Sequence, residues 1–91
     1  MKLFWDAAFK RAFKKHVRRE PQLQDRILRT LEQLAENPFA PNLRSHKLSG
    51  QLDGLWACSV EYDCRIIFNF ISDPDAPSEQ ALVLLNLGSH D

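Results

Sequence analysis

The chain has 91 residues, 44% hydrophobic and 26% charged, the proportions of an ordinary globular domain, so residues 1–91 are expected to form one domain around one modest core. No apolar run approaches the ~20 residues of a membrane-spanning helix, and Met1 to Trp5 is too short and too soon polar for a secretory signal, so a soluble, cytoplasmic protein without membrane partners is expected. The net charge of zero hides a division: eleven of the twelve Lys and Arg precede residue 51 against five acids, a balance of +6, while Arg65 alone faces seven acids after it, a balance of −6, and such polarity favours a partner of one sign at one end.

Lys2 to Trp5 reads as a short strand, stopped by Asp6, which can accept hydrogen bonds from the free amides of a following helical turn. Phe9, Ala12, Phe13, His16 and Val17 recur at helical spacing and mark the core face of a first helix, with His16 as a packed histidine. Around its flanks lie Lys10, Arg11, Lys14, Lys15, Arg18 and Arg19. A solvated face is the plain explanation of a charge run; six like charges within ten residues repel one another, however, which favours an RNA or acidic-protein partner. Glu20 and Pro21 end this helix and start a second, from Pro21 to Glu36, with Leu23, Ile27, Leu31, Leu34 and Ala35 as its apolar stripe. The two should form an antiparallel hairpin. Asn37 and Pro38 stop the second helix, residues 39–45 form a loop, and Asp53-Gly54 signals a turn into a β-hairpin.

In that hairpin Trp56, Cys58 and Val60 alternate with Leu55, Ala57, Ser59 and Glu61. Glu61-Tyr62-Asp63 reads as a tight reversal, after which Cys64, Ile66, Phe68 and Phe70 share one face and Arg65, Ile67, Asn69 and Ile71 the other. One face is nearly all apolar. The second carries Ser59, Glu61, Arg65 and Asn69 among aliphatics, which fits a binding or reactive surface over a half-buried sheet. Residues 72–80, with two prolines, read as a polar connection to a last strand from Ala81 to Leu87. Strict alternation there sets Val83, Leu85 and Leu87 on one face and Leu82, Leu84, Asn86 and His90 on the other. Leu55, Ile67, Ile71, Leu82 and Leu84 would then share the polar face's parity, an apolar area suited to an amphipathic partner segment. The order is β, two helices, then three or four strands, an α+β organisation.

Cys58 and Cys64 both take the apolar parity, as buried reduced thiols do. His16, His46 and His90 have no ligand-like spacing to one another or to a cysteine, and no glycine-rich phosphate loop is present, so neither a metal nor a cofactor is expected. His46, Lys47, Ser59, Glu61, Asp63, Arg65 and His90 remain, on consecutive strands and strand ends of one small sheet. Imidazoles, a carboxylate and fixed cations suit phosphodiester cleavage in RNA, in which a base takes the 2′-hydroxyl proton, cations stabilise the phosphorane and an acid protonates the leaving 5′-oxygen. By residue types alone a plain binding surface fits equally well.

The segments NPF, SHKLSG, GLWACSVEYDCRIIF and the terminal LLNLGSHD, each in its place after a strand and a basic helix, resemble the RelE/ParE superfamily of bacterial type II toxin–antitoxin toxins, most closely its RelE/StbE and YafQ-like members. The likeness spans nearly the whole chain. It implies a small, twisted, mostly antiparallel sheet with an N-terminal helical hairpin on one face, in the order β-α-α-β-β-β. It also implies a ribosome-dependent mRNA endonuclease that cuts in the A site by 2′-hydroxyl attack, needs no metal, and is silenced by a cognate antitoxin. By motif position His46 and His90 fall on histidines of YafQ-like toxins, His90 as the general acid, while Asp63 falls on their carboxylate, the candidate general base. Arg65 falls on the hairpin arginine that contacts the scissile phosphate, and Lys47 on a basic segment. Lys10, Arg11, Lys14, Lys15, Arg18 and Arg19 would grip ribosomal RNA. Two departures stand out. Ser59 occupies the place of a further histidine, which leaves Ser59 and Glu61 auxiliary roles, and the sequence closes at Asp91 where many relatives carry an aromatic that stacks on a base, leaving Tyr62 or Trp56 to do so. The alternative within the superfamily is a non-enzymatic or attenuated member, either a gyrase-poisoning ParE-like toxin or an antitoxin-binding remnant.

Overall fold

Asp6 separates the first strand, β1 (Leu3–Trp5), from the first helix, α1 (Ala7–Arg19), because its carboxylate accepts the otherwise unpaired N–H of Ala8 at 3.1 Å. At the other end of α1 the Glu20 N–H donates to the His16 carbonyl at 2.9 Å, and Arg18 and Arg19 sit at the negative end of the helix dipole. Pro21 and Gln22 form a turn and do not begin the next helix, so α2 (Leu23–Glu36) starts two residues later than expected from Pro21 as its first residue. It ends at Asn37, ahead of Pro38, as the proline's restriction on its predecessor requires. The Asn37 side chain then accepts the Phe39 N–H at 3.0 Å, and a single 3₁₀ turn, Pro41–Leu43, leads into the sheet.

The computed structural model describes residues 1–89 and completes the sheet with β2 (His46–Lys47), β3 (Trp56–Glu61), β4 (Cys64–Asp73) and β5 (Ala76–Gly88). The strand order is β1-β5-β4-β3-β2, with β1 parallel to β5 and every other neighbour antiparallel. Both helices pack on one face, α1 against β5 and α2 against β3, so the α+β expectation holds, with four strands, β2 to β5, after the helices. Phe9, Ile27, Leu34, Ile66, Phe68, Leu82 and Leu84 are fully buried between the layers, each worth about 1.5–3 kcal/mol relative to exposure. Trp5 closes the α1 end edge-on to Phe9 and Phe13, with ring centroids 5.0 and 5.1 Å away.

Two irregularities in the ladder change which side chains share a face. In β5, Asn86 pairs with Ile67 and Leu84 pairs with Phe68, so Leu85 is an extra residue. Leu82, Leu84 and Leu87 therefore all face the helices and are buried, contrary to strict alternation. Leu82 and Leu84 are thereby withdrawn from the apolar area expected on the open face, whereas Leu55, Ile67 and Ile71 stay partly exposed. In β3 the shift falls between Ser59 and Glu61: Ser59 pairs with Arg65 on the open face, while Glu61 pairs with Cys64 on the helix side. There its carboxylate meets Arg26 Nε at 3.5 Å.

Residues 72–80 also differ from their sequence reading, since β4 and β5 run through most of them. The prolines do not break the pairing because Pro74 lies in the turn and Pro77 lies in a stretch skipped between the Asp73–Ala76 and Ser72–Gln80 pairs. Asp73, 3% exposed, organises that turn by accepting the Asp75 N–H at 2.9 Å and the Lys2 ammonium at 3.2 Å. Its carboxyl is held below the usual range chiefly by the Asp75 backbone N–H, with Lys2 assisting.

Candidate functional site

Arg65 sits on the open face at the hairpin end of the central strand β4, paired with Ser59 on β3 and with Gly88 on β5. Its Nε is buried and has no hydrogen-bond partner among the described residues. A guanidinium nitrogen can only donate, and a buried donor without an acceptor costs about 1–3 kcal/mol, so the position suits a ligand that brings one. Gly88 brings the end of β5 alongside Arg65, and Ser89 continues past it. His90, two residues beyond Gly88, lies outside the described residues.

His46 pairs with Ala57, which sets it on the same open face one rung from the Ser59–Arg65 pair, roughly 7 Å along the strand. Its Nδ1 lies 2.9 Å from the backbone carbonyl oxygen of Arg44. Arg44 has left-handed backbone angles (φ 52°, ψ 40°) and is the one non-glycine residue with positive φ among those described. A side chain in that region costs about 1–2 kcal/mol. Lys47 alternates to the other side, pairing with Trp56, and its ammonium stands 5.9 Å over the Trp56 ring. The sheet thus separates Lys47 from His46. Trp56 itself lies among Phe39 and Phe70 on the helix side, which removes it as a base-stacking surface for the open face.

At the end of the β3–β4 hairpin a cavity of about 690 Å³ is walled by Asn42, Arg44, Ser59, Val60, Glu61, Tyr62 and Asp63. Tyr62 is 99% exposed at its lip, free to meet a planar partner. A smaller cavity of about 340 Å³ lies beyond the turn, where His16 and Arg19 from α1 approach Glu61, Asp63 and Ser89. Asp63 lines both. Half-buried His16, read from sequence as core packing, therefore stands at the edge of a cavity, its Nε2 3.9 Å from the place a side chain at Gly88 would begin. Sequence reasoning missed Arg44 and Asn42, which lie in an aperiodic loop that carries no pattern to single them out.

Lys10, Arg11, Lys14, Lys15, Arg18 and Arg19 are all exposed on α1, and none is ion-paired among the described residues. They stand on the helix side, across the sheet from Arg65 and His46, and only Arg19 reaches the hairpin end. Cys58 and Cys64 are buried and unbridged. Burial pushes their thiols up to about 12 and about 11, the latter aided by the charges of Glu61 and Asp63, so neither is a nucleophile at neutral pH. Among the described residues no three His, Cys, Asp or Glu side chains are disposed to hold a metal ion, and no helix is long and apolar enough to cross a membrane.

A five-stranded mixed sheet with a helical hairpin on one face is a fold shared with solved structures of small bacterial toxins of the YoeB, ParE and YafQ kinds. The YoeB/ParE toxin from Agrobacterium tumefaciens is similar over 100% of both chains, with a TM-score of 0.78 and 21% identity. YafQ from E. coli strain BL21(DE3) matches with a TM-score of 0.73 and 16% identity over 98% of this chain and 92% of its own. A chain of the YoeB–YefM complex from Staphylococcus aureus matches with a TM-score of 0.70 and 12% identity over 100% and 98%. At such identities the likeness is one of fold. No curated protein sequence matches the chain. The family model described as the bacterial toxin of a type II toxin–antitoxin system, YafQ, matches residues 1–91, and the chain belongs to that family.

Proposed function

We propose that this toxin is a ribosome-dependent mRNA endonuclease that cleaves in the A site without a metal or cofactor. The 2′-oxygen attacks the adjacent phosphorus, the bond to the 5′-oxygen breaks, and the products are a 2′,3′-cyclic phosphate and a 5′-hydroxyl. Proton transfer falls to His46, Asp63 and His90, while Arg65 donates to the phosphorane oxygens; Ser59, beside Arg65, is auxiliary, whereas Glu61, turned to the helix side and paired with Arg26, is left without the auxiliary role. The supporting observation is the buried Nε of Arg65, unsatisfied among the described residues, on an open sheet face with the end of β5 beside it. Lys10, Arg11, Lys14, Lys15, Arg18, Arg19 and Lys47 bind RNA in this reading, as fixed cations do through phosphate neutralisation.

The same reading supplies the partner. YoeB from S. aureus is found in complex with YefM, and type II systems pair a toxin with an antitoxin. On this chain Phe4, Val83, Ile67 and Ile71 lie partly exposed on the open face, an apolar strip for an amphipathic antitoxin segment. A translating extract with primer-extension mapping tests the nuclease. Cleavage at ribosome-bound codons is expected with the wild type and is lost with His90→Ala, which should keep the fold and antitoxin affinity. A wild type that cuts nothing there but traps gyrase on DNA overturns the proposal.

A further inference from the structure

The contact between His46 and Arg44 decides which nitrogen of the imidazole can take a proton. A backbone carbonyl oxygen only accepts hydrogen bonds, so the Nδ1 that lies 2.9 Å from it must carry the hydrogen. In the neutral ring the lone pair then resides on Nε2, the nitrogen away from the backbone. We infer that Arg44 is a positioning residue, whose left-handed backbone turns its carbonyl onto His46 Nδ1 and so makes Nε2 of His46 the general base of the cleavage. The inference rests on the nuclease reading and moves the base from Asp63 to His46.

Three features support it. The Arg44 conformation is one that side-chain-bearing residues seldom adopt, and it is held in place where the chain leaves the 3₁₀ turn, the Arg44 N–H donating to the Pro41 carbonyl at 3.3 Å. Asparagine or glycine would sit there with less strain, so strain retained beside a candidate imidazole points to a use for the carbonyl direction. The imidazole is exposed on the open face, on β2 beside β3 and one rung along from Ser59, with Arg65 on the strand beyond. Asp63, by contrast, stands at the exposed tip of the hairpin turn, in the wall between the two cavities. In this assignment the 2′-hydroxyl proton passes to His46 Nε2 as the 2′-oxygen bonds to phosphorus, and the departing 5′-oxygen takes its proton from the general acid.

The decisive measurement is the ¹⁵N spectrum of the imidazole nitrogens in the free toxin, which separates the two neutral tautomers. A neutral His46 predominantly protonated on Nδ1 is expected. Arg44→Gly, which tolerates positive φ, should keep that signature. Arg44→Val, which does not, should lose it and lower kcat with KM little changed. His46→Asn should lower kcat by about 10²-fold or more, the range of a lost general base. A ring mainly protonated on Nε2 in the wild type overturns the assignment whether or not mRNA is cut, and that spectrum does not depend on any variant folding. A ring protonated on Nδ1 in a toxin that cleaves no mRNA instead overturns the nuclease reading, and the role as base with it.

Discussion

A buried guanidinium N–H without an acceptor destabilises the free protein, and the Nε of partly exposed Arg65 has none among the described residues. Replacing an unsatisfied donor by an apolar group of similar length removes the desolvation penalty without breaking a native hydrogen bond. Arg65→Met is therefore expected to raise the unfolding free energy by about 1 kcal/mol in urea titrations while lowering cleavage by about 10²–10³-fold, as loss of a charge-stabilising donor does. A variant that loses both stability and activity would mean that Arg65 is a structural cation. Asp73 is the opposite case, a buried carboxylate fully supplied with donors. Because its folded-state pKa is depressed, its contribution is present above the unfolded carboxylate range and is lost as pH falls through the folded value. Thermal unfolding between neutral and acid pH should therefore decline less steeply in Asp73→Asn than in the wild type, with the variant the less stable of the two near pH 7. Parallel curves would exclude that role.

The bulge at Leu85 decides which leucines hold the layers together. Leu84→Ala opens a cavity under α1 and should cost about 2–5 kcal/mol, whereas Leu85→Ala, at a partly exposed and unpaired position, should cost well under half of that in the same denaturant series. Equal costs would return β5 to strict alternation. Nothing local in Ala81 to Leu87 announces the extra residue, because a bulge is a property of two paired strands, and every odd or even reading of the strand carries leucines. The same holds for β3, where the identities of Ser59 and Glu61 were legible but their separation to opposite faces was not. Local signals fared better. Asp6, the helical spacing of Phe9, Phe13 and Val17, and the break at Asn37 and Pro38 each act within one or two turns of chain, and each lies where its chemistry predicts. Pro21 shows the limit, since a residue fit for the first helical position was used instead in the turn between the helices. Of the candidate site, the motif residues were readable, but Arg44 depended on a backbone angle that no residue pattern encodes.

The sheet divides the molecule into two working sides. On one, α1 carries six exposed cations with no ion-pair partner among the described residues; on the other lie Arg65 and His46, and the two sides meet at Asp63 near Arg19. A ligand gripped by α1 cannot at the same time lie across Arg65 unless it passes around the end of the hairpin, so two different nucleic-acid segments suit the two sides better than one. For a nuclease that works on the ribosome, ribosomal RNA would take the helix side and mRNA the open side. The consequence is kinetic. Changing Lys10, Lys14, Lys15 and Arg18 together to Gln should weaken ribosome association and flatten its dependence on log salt by about 0.7–0.9 for each phosphate no longer neutralised. It should leave kcat at saturating ribosomes near the wild-type value, and it should not destabilise the fold, since the variant also relieves repulsion along one helix face. Arg65→Met should do the reverse, lowering kcat while the salt dependence of ribosome binding stays as it was. If the α1 variant instead lowers kcat at saturation with no change in salt slope, then the cations act on the substrate and the division of labour across the sheet is wrong.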